Sequence, residues 1–209
     1  VTRSPWPVTL DAAPVQLRPL RYRDARAWHE LRQRNADWLR PWDATSPDPR
    51  AVPVSFRAMV RRLNAAARLG ESLPWALTVD GRLVGQVNVS GIVRGSAQMA
   101  HVGYWIGQEH AGHGHVPTGV ALAVDYCFGT LGLHRVEINV RPENTASLRV
   151  VAKLGLRPEG RRERYLHIDG EWRDHESFAV TAEEVPGGLL ARLRRDTPPH
   201  LRGSAAPSP

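Results

Sequence analysis

Residues 100–147 read AHVGYWIGQEHAGHGHVPTGVALAVDYCFGTLGLHRVEINVRPENTAS, and the fold class turns on how this stretch divides. Ala100 to Gly107 alternates at period two, with Val102, Tyr104 and Ile106 on one face and His101 and Trp105 on the other, which predicts a strand. The glycine-rich run His110 to Gly119 then leads into a helix from about Pro117 to Gly129; proline suits a first helical turn, where no intrahelical N–H is required. His134 to Val140 predicts another strand and Asn144 to Gly155 a short helix. A strand, a glycine turn and a helix in that order create a place for an anion. Such a turn bends successive amide N–H groups inward and adds the positive end of the helix.

Outward from this unit the pattern is regular. Val15 to Leu20 alternates as a strand, and Asp24 is placed to cap a helix carrying Ala27, Trp28, Leu31, Trp38 and Leu39 up to Pro41-Trp42. A loop rich in proline and aspartate runs to about Pro53, and a second helix follows through Phe56, Val60, Leu63 and Ala67. Trp75–Val79 and Leu83–Val89 flank Asp80-Gly81, a strong hairpin signal. A closing hairpin is expected from about Arg161–Ile168 and Trp172–Thr181 around Asp169-Gly170. This order predicts an α+β single domain with one central mixed, mostly antiparallel sheet flanked by helices. We divide the chain into a proline-rich surface arm over 1–14, the domain over 15–186, and an arginine- and proline-rich tail over 187–209. That tail carries at most one short helix, with disorder expected from Thr197 to Pro209.

Composition narrows the class. The chain has 209 residues, 42% apolar and 23% charged, enough to bury a core and too polar for a membrane protein. Its net charge is +7, and every basic residue except Lys153 is arginine, which favours acidic or phosphorylated partners. One cysteine, Cys127, excludes an internal disulfide, and no apolar leader opens the sequence, so a cytoplasmic location is expected.

Several separated motifs together resemble the GCN5-related N-acetyltransferase (GNAT) superfamily, and within it the Rim-type ribosomal-protein-alanine N-acetyltransferases. They are Tyr104-Trp105-Ile106-Gly107, Ala111-Gly112-His113-Gly114-His115-Val116, Leu133-His134-Arg135-Val136-Glu137, Pro142-Glu143-Asn144-Thr145-Ala146-Ser147 and Lys153-Leu154-Gly155-Leu156. The resemblance spans about Val15 to Glu183 and implies a GNAT fold with acetyl-CoA as co-substrate and no metal. It implies that Gly112, His113, Gly114, His115, Val116 and Thr118 surround the pyrophosphate, and that the strand at Trp105 and Ile106 pairs with the pantetheine arm. Asn144 and Ser147 would reach its amide and sulfur end, and Lys153 or a nearby arginine its outer phosphate. The loop departs from the family pattern in two places: Ala111 stands where glutamine or arginine is usual, and Val116 where glycine or alanine is.

In this superfamily an amine attacks the thioester directly in a ternary complex, so the protein must orient the amine, receive its proton and assist the leaving thiolate. The resemblance points to Ser147 as the hydroxyl beside sulfur, against its ordinary role as a helix-start serine bonding local backbone. His101 is the candidate base, because relatives carry glutamate at this strand position. Asp43, Asp48 and a water chain are the alternatives, as is a plain surface histidine. His110, His113 and His115 raise a metal reading, but without a nearby cysteine solvated loop histidines are the simpler account, and no metal is expected. Trp28, Trp38 and Trp42 stay open between core and acceptor groove, and the arginines between Arg18 and Arg40 read as a solvated helix face.

The leading function is acetyl transfer to the N-terminal α-amine of a protein, a ribosomal protein for preference. The alternatives are acetylation of a small amine such as an aminoglycoside or polyamine, and a non-catalytic acyl-CoA-binding module. RNA contact, for example at Arg192 to Arg195, is carried by no recognised motif, a membrane partner is not expected, and a homodimer stays open.

Overall fold

The computed structural model describes residues 5–196. Eight strands form one sheet: β1 (Leu10–Ala12), β2 (Val15–Pro19), β3 (Leu73–Val79), β4 (Arg82–Val93), β5 (Met99–Ile106), β6 (Arg135–Val140), β7 (Arg157–Ile168) and β8 (Glu171–Thr181). Their order is β1-β2-β3-β4-β5-β6-β8-β7, with β5 and β6 the one parallel pair. Parallel neighbours need a crossover. Here α4 (His115–Gly129) supplies it, and α5 (Thr145–Lys153) makes the next connection, from β6 to β7.

Two layers of helix cover the sheet. On one face lies α4, whose Val116, Val120, Ala121, Ala123, Val124 and Cys127 are buried. It sits so close that a Cβ on Gly119 would press against Leu17, Leu77 and Val87. Burial pushes the Cys127 thiol up to about 12, leaving it a small apolar filler. On the other face, α1 (Ala25–Arg34) and α3 (Phe56–Arg68) bury a second cluster of Leu20, Phe56, Val60 and Ala76, against which Trp28 packs. Ser55 caps α3, its hydroxyl accepting from the Ala58 N–H at 3.3 Å.

Four local expectations change. Asp24 does not cap α1; its carboxylate accepts from the Arg21 N–H at 2.8 Å and pairs with Arg18 at 2.7 Å, two stronger claims on the same oxygens. The helix expected to run to Leu39 breaks at Asn35 into α1 and α2 (Ala36–Leu39), because the buried Asn35 side chain accepts from the Gln108 N–H at 2.7 Å. The arm over 1–14 is not wholly loose, since Leu10–Ala12 pairs with β2 and Trp6 is buried. There the Trp6 indole N–H donates to Asn64 at 2.8 Å and its ring meets Trp75. β7 starts at Arg157, earlier than Arg161, as Arg157 pairs opposite Ala179. The one short helix expected in the tail is present as α6 (Leu189–Asp196), docked through buried Leu189 and Leu193 with Asp125 accepting from its first two amides. The disorder expected over 197–209 lies outside the described residues.

Candidate active site

The site starts where β5 and β6 part. Their ladder covers Met99–His101 against Arg135–Glu137 and goes no further, so β5 from Val102 to Ile106 has no partner strand on that side. An unpaired strand edge presents amides and carbonyls to whatever enters. At its end the Ile106 carbonyl accepts from the Trp38 indole N–H at 3.1 Å, which fixes the strand beneath α2.

Beyond Ile106 the chain turns through Gln108–His110 into the glycine loop. Gly112 and Gly114 hold φ of +82° and +81°, values costly for any residue with a Cβ. A Cβ on Gly112 would meet nothing within 4 Å, so open space lies beside the loop. Gly114 is the residue before α4, and the Thr118 hydroxyl donates to its carbonyl at 3.0 Å. Thr118 therefore braces the loop from behind. Lys153 Nζ lies 3.8 Å from where a Gly114 Cβ would stand. Free amides at a helix start with a cation beside them form a cradle for a diphosphate. Val116 is buried under the loop, while His113 and His115 stack at 5.7 Å. Burial, together with His113 and His110, holds His115 below the usual histidine range. Among the described residues no group of three or more His, Cys, Asp or Glu is arranged to hold a metal.

Across the gap, α5 opens with Asn144, whose side-chain carbonyl accepts from the Ser147 N–H at 3.0 Å. Ser147 is thus capped through its backbone, and among the described residues no hydrogen bond engages its hydroxyl. The Tyr104 hydroxyl donates to the Ser147 carbonyl at 3.5 Å, and burial pushes that phenol up to about 12, so it stays a donor. Lys153 closes the same helix near the glycine loop. One nine-residue helix therefore connects the two ends of the cleft.

The opposite face of β5 carries a row of polar groups. Register places Gln86 opposite Trp105, Asn88 opposite Gly103 and Ser90 opposite His101. Gln86 accepts from the indoles of Trp28 and Trp105 at 2.8 and 3.1 Å. Asn88 Oδ1 is buried without a partner, beside the space left by Gly103, where a Cβ would touch nothing. An orphaned buried acceptor invites a donor from outside. Trp28 and Trp38 thus belong to the groove wall as well as to the packing, and Trp42 lies beneath Arg141.

His101 sits at the head of this row, half-buried, its Nδ1 3.6 Å from Glu137 Oε2 and 3.4 Å from Asn139 Nδ2. Burial lowers its pKa below the usual histidine value; Arg162 and Arg135 add to this and Glu137 opposes it. The ring is therefore neutral at neutral pH. Glu137 is engaged by Arg135 at 2.8 Å and Arg162 at 2.7 Å. Asp43, an alternative base, has both oxygens held by Arg32 at 2.5 and 3.0 Å. Arg32 in turn lies over Trp28 and Trp105, and with Arg18 it is buried enough in an ion pair to correct the reading of a uniformly solvated arginine face. Asp48 is exposed and turned to its own loop, accepting from the Arg50 N–H. His101 is the titratable candidate that the fold leaves facing the groove.

Sequence reasoning missed Gln86, Asn88 and Glu137, whose alternation on strands reads as a solvent-facing side. It also missed Gly91, where a Cβ would stand 3.0 Å from the His101 ring.

Comparison with known proteins agrees with the fold. Residues 15–157 match the family model described as acetyltransferase (GNAT) domain. The chain is 32% identical over 168 residues to the ribosomal protein uS5-alanine N-acetyltransferase of Escherichia coli (strain K12), covering 79% of this chain and 87% of that protein. It is equally 32% identical to the probable N-acetyltransferase YjcK of Bacillus subtilis (strain 168), covering 79% and 93%. Among solved structures, Mycobacterium smegmatis RimJ in complex with CoA-disulfide superimposes with a TM-score of 0.84 at 39% identity, over 91% of this chain and 95% of that one.

Proposed function

The chain belongs to the GNAT acetyltransferase family and is an acetyl-CoA-dependent N-acetyltransferase, and from that premise we propose that its acceptor is the N-terminal α-amine of a ribosomal protein. The observation that carries this reading is the open edge of β5. It has the glycine loop and Lys153 at one end and Ser147 across the gap, and its other face bears a row of unpaired or neutral acceptors for an amine.

Acetyl-CoA brings an acyl group already activated as a thioester. The amides of Gly112 to Val116 and Lys153 hold its diphosphate, and the free edge at Trp105 and Ile106, with Asn144, orients the pantetheine arm. On the acceptor side Asn88 Oδ1 takes a hydrogen bond from the incoming amine, and neutral His101 receives its proton during attack. Ser147 donates to the sulfur as negative charge develops there. A serine hydroxyl is too weak an acid to give up its proton outright beside a thiol of pKa about 8.5, so solvent completes that transfer.

Ser147→Ala is expected to lower kcat about 10- to 100-fold with little change in acetyl-CoA affinity, given about 1.5 to 3 kcal/mol for a hydrogen bond to a charged group. The substitution is clean. The N-cap bond uses the Ser147 amide, which alanine retains. An unchanged rate, under conditions where chemistry limits turnover, returns Ser147 to a structural role.

The reading as a whole is tested by incubating the protein with acetyl-CoA and the ribosomal proteins of its host, followed by mass spectrometry of N-terminal peptides. Acetylation of one defined N-terminus is expected. Acetylation of polyamines or aminoglycosides with none on any N-terminus overturns the choice of acceptor.

A further inference from the structure

Many arginines of this protein have carboxylate partners, as in the network joining Arg135, Arg157 and Arg162 to Glu137, Glu159 and Glu184. One region differs. Arg21 and Arg23, in the turn before α1, and Arg57, Arg61, Arg62 and Arg68 on α3 are all exposed, and none of them forms an ion pair with a carboxylate within the described residues. Helix α3 contains no acidic residue at all. Asp24 is paired with Arg18 and feels the Arg21 guanidinium only as a weaker Coulombic neighbour, and Glu71 lies beyond the helix end.

These charges are arranged around a concavity. Arg21, Arg61 and Arg68 line a cavity of about 460 Å³ together with Tyr22, Leu20 and Val60. Tyr22 is half exposed, and the Arg57 guanidinium lies 5.3 Å from its ring centre. Arg57, Arg61 and Arg68 recur at intervals of four and seven residues, so they share one side of α3. Like charges gathered without countercharges raise the free energy of the isolated surface, and an anionic partner relieves it. A guanidinium fork binds phosphate oxygens in a bidentate manner, and an exposed aromatic ring among arginines offers a stacking face for a base. An acidic protein would satisfy the arginines but make no use of the exposed part of the Tyr22 ring.

We infer that this face of α3, with Tyr22, binds single-stranded RNA through its phosphates. The surface adjoins the acceptor groove, since Phe56 at the start of α3 touches Trp28, and Trp28 touches Trp105. Its use in holding an RNA-containing particle beside the groove rests on the ribosomal acceptor proposed above. RNA binding itself does not depend on that acceptor.

The test is fluorescence anisotropy of a labelled single-stranded RNA against rising KCl, with the full-length protein. The triple variant Arg57→Gln/Arg61→Gln/Arg68→Gln is compared with a control of equal charge change, Arg82→Gln/Arg194→Gln/Arg195→Gln. Three lost phosphate contacts reduce the slope of log K against log salt by about 2, whereas the control keeps the wild-type slope. Tyr22→Ala is expected to weaken binding several-fold with the slope unchanged, and it serves as a second probe should the triple variant fail to fold. Acetylation of a free N-terminal peptide is expected to be the same in all four proteins, so failure of the RNA surface stays distinguishable from failure of the acceptor assignment. Equal losses in the triple variant and control, no RNA binding by the wild type, or competition by polyglutamate as strong as by RNA overturns the inference; the last outcome replaces RNA with an acidic protein.

Discussion

Gly114→Val is expected to abolish the rise in Tm that acetyl-CoA gives the unaltered protein. A ligand at a hundred times its Kd stabilises the native state by about 2.7 kcal/mol, and that increment should vanish. Two effects act at the same atom. With φ at +81°, a β-branched side chain is strained whatever space it finds. The side chain would also stand beside Lys153 Nζ, in the volume assigned to the diphosphate. Strain alone lowers the Tm of the unliganded protein, so the difference between liganded and unliganded protein is what must be read. Gly95→Val provides the comparison: its φ is +71°, a Cβ there would meet nothing within 4 Å, and it lies in the β4–β5 turn. That variant should lose stability yet keep the full ligand increment. If Gly114→Val also keeps it, the phosphates bind elsewhere.

The parts of this molecule that could be read from sequence are those whose local pattern and tertiary environment agree. β5 alternates in sequence and is half-covered on each face by different layers, so its two rows separated correctly. The glycine loop was legible because positive φ at Gly112 and Gly114 leaves few other residue choices. β1 was not legible, since three residues between prolines carry no periodicity and depend on pairing with β2 and on Trp6 reaching Asn64. The break at Asn35 was hidden for a similar reason: its cause, the Gln108 amide, is 73 residues away. The acceptor row was not legible for a physical reason. Gln86 and Asn88 alternate with Val87 and Val89 as they would on a water-facing strand, and only the cover of α1 and α3 converts that face into the floor of a groove. Glu137, buried under two arginines, follows the same logic.

An acceptor peptide with a free N-terminus and no lysine should be acetylated a few hundred times faster near neutral pH than the same peptide with a blocked N-terminus and one lysine. The reason lies in the amine before the enzyme touches it. An α-amine has a pKa of about 8 and a lysine about 10.4, and attack requires the unprotonated form, so each pH unit below the pKa costs a factor of ten. The groove does little to offset that difference. Its titratable member, His101, is held below the usual histidine range, chiefly by burial, and is therefore a weak base that suits a weakly basic amine. The sign of the pH dependence follows. Activity falls as pH drops through the pKa of the amine, and falls more steeply once His101 itself protonates, at a pH that burial holds under the usual histidine range, because the base is then filled and its charge repels an ammonium. With His101→Ala the second fall should disappear and the apparent pKa of the remaining limb should move up to that of the free amine. A profile untouched by the substitution would assign proton removal to water, and faster lysine modification near neutral pH would overturn the N-terminal acceptor while leaving the acetyl transfer intact.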